Sequence, residues 1–208
     1  MPVPPSQSPP TQKASRFLLQ MAGKSGTGKS TIAGPLARTF GAVTLDIDVL
    51  KSTALDIGLA WHDAGRIGYE GTWSLAESLL CQGISVIIDS PCRFERIVTE
   101  GMAIAKRQSA VYCFVECVLP DTDELRRRLR SRTRRRSQLV DLGVSSPDAP
   151  TDSTLAAQVR DQGEGALRTR YPPGPWLQVD TGKDLDRCLA LAADYLTRVL
   201  GEPAAGEG

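Results

Sequence analysis

Gly23-Lys24-Ser25-Gly26-Thr27-Gly28-Lys29-Ser30 satisfies G-x-x-x-x-G-K-(S/T) in full, the pattern of the phosphate-binding P-loop. Its flanks have the right character. Phe17 to Ala22 is an apolar run of strand length, and Thr31 to Arg38 reads as helix. A strand, a glycine loop and a helix start turn successive backbone N–H groups toward a phosphate, with the positive end of the helix dipole behind them. Gly23, Gly26 and Gly28 allow the partly left-handed backbone that this needs. In such a loop the lysine, here Lys29, reaches the β- and γ-phosphates, and the hydroxyl of Ser30 ligates Mg²⁺. The expected nucleotide is ATP, wrapped by residues 23–31 with Lys24, Ser25, Thr27 and Thr31 among them.

The rest of the composition is that of an ordinary globular chain. With 208 residues, 41% apolar and 24% charged, there is enough material for one α/β domain with a sizeable core. No apolar run approaches membrane-spanning length. Residues 1–14 are rich in proline and carry neither a secretory nor a transit signature, so a disordered lead-in is expected. Five scattered cysteines do not make a disulfide framework, and one histidine leaves no zinc constellation. Reduced thiols and a cytoplasmic location are the expectation. The net charge is +1, unevenly spread. Eight arginines fall between Arg126 and Arg136 with no acid among them, which leaves 17 basic residues against 24 acidic ones elsewhere. The positive charge is local, not a general nucleic-acid surface.

Further along, Val43 to Ile47 reads as a second strand ending in acids. In an open parallel sheet, ligands bind beyond the carboxyl ends of the strands. Asp46 and Asp48 therefore fall where one carboxylate can approach a metal and the other a substrate hydroxyl; the plainer role for Asp48 is a helix N-cap. Residues 49–62 and 66–82 read as helices broken at Gly65-Arg66-Ile67-Gly68, with Leu75, Ala76, Leu79 and Leu80 as a core stripe. Ile84 to Ile88 is a strand apolar on both faces, and it ends in Asp89, in the position of an acid that orients Mg²⁺ through water. A helix over 94–108, a strand over 110–118, a helix over 121–132, a polar loop over 133–152, a helix over 153–167, a strand over 176–181 and a helix over 185–200 complete the order. The tail from Gly201 to Gly208 is expected to be disordered. One domain, about 15–200, accounts for the whole pattern.

This order resembles the P-loop small-molecule and nucleic-acid kinases, the group with chloramphenicol phosphotransferase, polynucleotide kinase, shikimate and gluconate kinases and zeta toxins. Within it, the chain is most similar to the AAA-domain family of small ATP-binding kinases. The shared phrases are the P-loop, Tyr69-Glu70, Leu80-x-x-Gly83-x-Ser85-Val86-Ile87-Ile88-Asp89-Ser90 and Arg128-Leu129-x-x-Arg132, and they span about residues 16–200. The resemblance implies a three-layer α/β fold, with a mainly parallel five-stranded sheet and an arginine-rich lid at about 131–152. It implies that Asp48 accepts the proton of an acceptor hydroxyl, with Asp46, Asp89 and Ser30 at Mg²⁺. It implies that Arg128 and Arg132, with Lys29, steady the transferring phosphoryl group, with Arg134 to Arg136 as alternatives. Asp180 and Thr181 fall where the adenine is lined. The acceptor pocket falls in 49–82 and the loop after Asp89, with Lys51, Tyr69 and Arg93 as substrate-binding candidates and Trp61, His62 and Trp73 as wall residues. Lys51 stands where polynucleotide kinases carry an arginine, and lysine cannot make the bidentate phosphate contact.

The expectation is therefore an ATP- and Mg²⁺-dependent kinase acting on a hydroxyl of a small molecule. Two other readings follow from the same residues. A 5′-hydroxyl polynucleotide kinase would use the arginine run to hold a strand, but no aromatic residue is interleaved with the arginines to stack bases. A nucleotide-binding regulatory ATPase without an acceptor would have no use for the Asp-x-Asp feature.

Overall fold

In a computed structural model of the chain, residues 15–142, 144–150 and 169–201 are described. Phe17–Ala22 forms β1, and every residue in it is buried. Its alternating side chains feed two cores. Leu19 and Met21 pack on one face with Ile32 and Leu36 of α1, Lys29–Phe40. Leu18 and Ala22 pack on the other with Trp73, Ala76 and Leu80. A strand apolar at consecutive positions has to be covered on both sides, and this one is.

The other elements follow in order: β2 Val43–Asp46, α2 Ile47–Asp56, α3 Trp61–Cys81, β3 Val86–Asp89, α4 Glu95–Arg107, β4 Val111–Val118, α5 Thr122–Ser131, β5 Leu177–Asp180 and α6 Leu185–Gly201. The five strands are all parallel, in the order β2-β3-β1-β4-β5. Helices α1 and α6 cover one face, α3 and α4 the other. This is the three-layer P-loop NTPase fold. The connection reverses direction on either side of β1, so the sheet's ligand crevice opens at the end of that strand. Among the described residues no helix is long and apolar enough to cross a membrane.

Three local expectations need correction. The break in the helical region falls at Ile57–Ala60, where Gly58 takes φ +92°, and α3 runs unbroken through Gly65 and Gly68. Gly68 is there for packing. A Cβ on it would stand 3.3 Å from both Ile47 and Lys51 side chains, so its absence lets α2 lie close against α3. Second, α2 is capped by Asp46, whose carboxylate accepts from the Asp48 N–H at 2.8 Å; Asp48 is inside the helix. Third, Leu75 faces solvent at 44% exposure, and the core stripe of α3 runs through Ala64, Gly68, Thr72, Trp73, Ala76 and Leu80. The helix expected over 153–167 lies outside the described residues, as do residues 1–14 and 202–208.

The continuity of α3 is testable with its two glycines. A Cβ at Gly65 meets open space. Gly65→Ala is expected to stabilise the protein by about 0.5–1 kcal/mol, the helix-interior difference between the two residues. Gly68→Ala is expected to lose that gain or become destabilising through the contact with α2. Urea unfolding of the two variants checks the contrast, and an equal response would place both glycines outside a packed helix.

Candidate active site

The P-loop is held from three sides. Gly23 has φ +120°, and a Cβ there would lie 2.1 Å from the Cys117 carbonyl oxygen at the end of β4. Gly26 has φ +84°, and its Cβ would meet Leu125 and Leu129 of α5 at 2.9–3.0 Å. Gly28, in the left-handed conformation, caps α1. From the remaining side Thr181 donates its hydroxyl to the Thr27 carbonyl at 2.7 Å. No acid stands in the first turn of α1, so the helix end keeps its positive character. Lys29 folds back over the loop, donating to the carbonyls of Gly23 and Lys24 at 3.1 and 3.0 Å. Burial lowers its pKa, and the nearby Asp89 pulls it the other way.

Two adjacent strand ends deliver the acids, level with the end of β1. Met21 of β1 pairs with Asp89 of β3, and Asp89 pairs with Asp46 of β2. The Ser30 hydroxyl donates to the Asp89 carboxylate. Asp46 is pushed up to about 6, first by burial and then by the negative charge of Asp89. Arg135 lies 3.6 Å from it. The hydroxyl of Ser30, the carboxylate of Asp89 and the neighbouring Asp46 form an all-oxygen donor set. Mg²⁺ is held through one or two such groups, water and substrate phosphates, with no protein cage. That fits this arrangement, in which no three His, Cys, Asp or Glu side chains of the described residues gather as a metal cage.

Asp48 stands one step away. Ser137 donates its hydroxyl to Asp48 Oδ1 at 2.8 Å, and Gln138 donates Nε2 to Oδ2 at 3.0 Å. Ser137 is in turn bound to Ser52 of α2 through both its amide and its hydroxyl, each at 3.0 Å. Sequence reasoning missed both residues. They sit in a polar stretch with no periodicity, and only the return of the chain after α5 brings them to α2.

The arginine run resolves into individual jobs. Arg126, Arg127, Arg128, Arg130, Arg135 and Arg136 each face an acid: Asp123, Glu124, Glu124 again, Asp141, Asp46 and Asp148 respectively. Arg128 also donates to the Thr181 carbonyl at 3.0 Å, tying α5 to the turn after β5. Arg136 donates to the Leu55 carbonyl at 2.7 Å and so fastens itself and its partner Asp148 to the end of α2. Arg132 is different: among the described residues its one hydrogen bond goes to the Leu139 carbonyl, and its buried Nε meets no partner.

These groups enclose a cavity of about 1040 Å³. Gly26, Gly28, Lys29, Ser30 and Thr31 form its floor, Arg128 and Arg132 its far wall, and Thr181 and Lys183 one end. Asp46 and Gln138 also line it, whereas Asp48 lies behind Gln138. Lys24 points to solvent, and Asp180 binds the Gly182 amide at 3.0 Å without reaching the cavity. Lys51, Tyr69 and Arg93 gather on the Asp48 side. Lys51 rests its ammonium 3.5 Å above the Trp61 ring, and Tyr69 touches Trp73 and Phe94. His62 is exposed on the outer face of α3.

An all-parallel sheet with a glycine loop leading from its central strand into a helix defines a P-loop nucleotide-binding protein. The chain belongs to the AAA domain family, which matches residues 18–158. No curated protein matches it in sequence. Several solved structures share the fold. A candidate kinase from Chloroflexus aurantiacus has 22% identity and a TM-score of 0.62, covering 87% of this chain and 98% of that one. The APS kinase CysC of Mycobacterium tuberculosis, in complex with AMPPNP and APS, has 18% identity and a TM-score of 0.58, covering 88% and 98%. A gluconokinase from Sinorhizobium meliloti 1021 has 17% identity and a TM-score of 0.53, covering 90% and 94%.

The raised Asp46 gives a pH signature. Its folded value of about 6 stands above the usual 3.8, so the folded protein holds this proton more tightly than the unfolded chain. Its contribution to stability therefore falls as pH rises from about 4 to about 6, by about 2–3 kcal/mol in all. Asp46→Asn keeps a capping side chain and removes the titration. Urea unfolding is expected to show the variant gaining about 2 kcal/mol on the wild type between about pH 4.5 and about pH 7. A constant difference across that range would show that Asp46 carries no such strain.

Proposed function

We propose that the protein is an ATP- and Mg²⁺-dependent phosphotransferase that moves the γ-phosphate of ATP to a hydroxyl of a small molecule. The observation that carries this reading is Asp48. It is a carboxylate held beside the nucleotide cavity but outside its lining, with both oxygens engaged by a hydroxyl and an amide from the segment after α5. A nucleotide switch needs no such group. The pairing of six of the eight arginines with acids counts against a polynucleotide acceptor, since those cations are not free to hold a strand. The kinase names of structures with this fold support the reading.

The proposed roles are these. Lys29 exchanges the loop carbonyls for phosphate oxygens, and the N–H groups of residues 26–31 hold the β-phosphate. Arg132, whose Nε has no partner among the described residues, stands at the cavity wall and neutralises charge that builds on the γ-phosphoryl oxygens. Arg128 sets the distance between α5 and the P-loop side of the cavity. Ser30 and Asp89, with Asp46 beside them, would hold Mg²⁺, which supplies positive charge to the β- and γ-phosphate oxygens. Asp48 releases Ser137 and Gln138 and accepts the acceptor's hydroxyl instead. It takes the proton as that oxygen bonds to the γ-phosphorus; the bond to the bridging oxygen breaks, and ADP leaves with its electrons. Lys51, Tyr69 and Arg93 bind the acceptor. The lid of this reading is residues 131–152, and the catalytic domain is about residues 15–200.

The base is the sharpest point of test. Asp48→Asn is expected to lower acceptor-dependent ADP release by about 10²–10⁴-fold, the range for loss of a general base. Calorimetry should find its MgATP affinity within a few-fold of wild type. The assay is ADP production from MgATP across a library of hydroxyl compounds. Near wild-type turnover by the variant overturns the assignment, and full-rate hydrolysis without any acceptor favours a regulatory ATPase.

A further inference from the structure

We infer that Ser137 is itself a phosphoryl acceptor: when no other hydroxyl is bound, the chain transfers the γ-phosphate of its ATP to the Ser137 oxygen. The inference rests on the phosphotransfer reading, with Asp48 as base, and adds to it a modification site within the chain.

The hydrogen bonds around Ser137 are those an acceptor needs. Its hydroxyl donates to Asp48 Oδ1 at 2.8 Å. An alcohol that loses its proton to a general base has to make this contact. The Ser137 oxygen also accepts from the Ser52 hydroxyl at 3.0 Å, and the Ser137 amide donates to the Ser52 oxygen at 3.0 Å. A hydroxyl oxygen has two lone pairs, so among the described residues one pair of Ser137 meets no donor and is left to attack phosphorus. Gln138 holds the second oxygen of Asp48 at 3.0 Å and keeps the carboxylate turned toward this segment. Of the described residues that line the cavity, only Ser30 likewise sets a hydroxyl on a carboxylate, and it belongs to the proposed Mg²⁺ set.

The turn that carries Ser137 is fixed on both sides. The Gln138 N–H donates to the Arg135 carbonyl at 3.1 Å, and the Arg135 N–H donates to Gln138 Oε1 at 3.2 Å. The Arg136 carbonyl accepts from the Ser146 hydroxyl at 2.6 Å, and the Arg136 side chain is bonded to the end of α2. Ser137 and Ser52 are both buried against one another. A hydroxyl held in this way has little ordering left to lose on reaction, which is the advantage of an intramolecular acceptor. The nucleotide is close at hand. Arg136 and Gln138, on either side of Ser137 in the chain, and Ser52, its partner, all line the cavity above the P-loop. Ser137 and Asp48 stand one layer behind them, and withdrawal of the Gln138 side chain uncovers the pair together.

The step balances within the chain and its nucleotide. Ser137 Oγ bonds to the γ-phosphorus, and its proton passes to Asp48 Oδ1. The bond from the γ-phosphorus to the bridging oxygen breaks, and ADP leaves with that electron pair. The product is a phosphate monoester on Ser137, formed once per chain.

The test uses the whole chain, treated with phosphatase and then given MgATP labelled at its γ-phosphate with no acceptor. Label is expected on Ser137, located by mass spectrometry of digested protein, with a single burst of ADP. Its rate constant should not change with protein concentration. Asp48→Asn is expected to slow labelling by about 10²-fold or more, the loss of a general base. Ser137→Ala should take up no label at the turn, with MgATP binding by calorimetry reporting that the variant is folded. Ser137→Thr, which keeps a hydroxyl, should be labelled at that position. An unlabelled Ser137, label placed on other residues alone, or a rate constant proportional to protein concentration overturns the inference. The same protein is then assayed for ADP release with a library of hydroxyl compounds. Release with a compound while Ser137 stays unlabelled in its absence overturns the inference and leaves phosphotransfer standing. Label on Ser137 with no active compound keeps the inference and overturns the small-molecule acceptor. Neither label nor release overturns both.

Discussion

Negative charge is concentrated at one end of the sheet, and that concentration decides where the cations go. Asp46, Asp48 and Asp89 come from two adjacent strand ends, beside a loop shaped for phosphates. Burial first, and then the negative charge of Asp89, push Asp46 up to about 6. Three devices relieve the repulsion before any ligand arrives. The Ser30 hydroxyl donates to Asp89, a backbone N–H and Arg135 attend Asp46, and Ser137 with Gln138 attends Asp48. Lys29, held by carbonyl oxygens, stays within the field of Asp89. Two of these contacts are ones that a ligand can replace in kind: a phosphate oxygen for the carbonyls at Lys29, a hydroxyl for Ser137 at Asp48.

The same constraint explains the arginine run. Read along the chain, eight like charges in eleven positions look like a repulsive cluster seeking a polyanion. In space they are dispersed, because α5 turns successive side chains by 100° and the segment after it doubles back. Most then find an acid. Glu124 takes two of them, and Asp141 and Asp148, from the polar loop, take two more. The run stitches the segment over the cavity to α2 and α5. Among the described residues, only at Arg132, where the acids stop, does a guanidinium nitrogen of the run stand buried without a partner at the cavity wall.

Much of the fold was legible because it rests on short-range rules. Phe17 to Ala22 is apolar on both faces, so it had to be central; the glycines and Lys29 that follow have one well-known use. The strand ending in Asp89 was readable for the same reason. The helix break was misread because Gly65 and Gly68 look like punctuation, while Gly68 answers to Ile47 and Lys51 across a helix interface that no local pattern records. Asp46 and Asp48 were both singled out, but which one caps α2 depends on where the helix starts, and a two-residue shift of that start moves the cap from one to the other. Ser137 and Gln138 were invisible because their importance comes from contacts about ninety positions away in the chain.

These long-range contacts also bear on how a transfer site avoids wasting its nucleotide. A carboxylate able to deprotonate a hydroxyl can activate water as readily, and a P-loop enzyme with an open base would hydrolyse ATP. In the proposed reading, Asp48 lies behind Gln138 from the nucleotide cavity, with both oxygens occupied. Water offers no more than Ser137 and Gln138 already supply, so it gains nothing by displacing them. An acceptor that also meets Lys51, Tyr69 and Arg93 does gain, because those contacts form as its hydroxyl reaches Asp48. The free energy that opens the base would then come from a part of the substrate that does not react, which is how binding remote from the chemistry is turned into specificity.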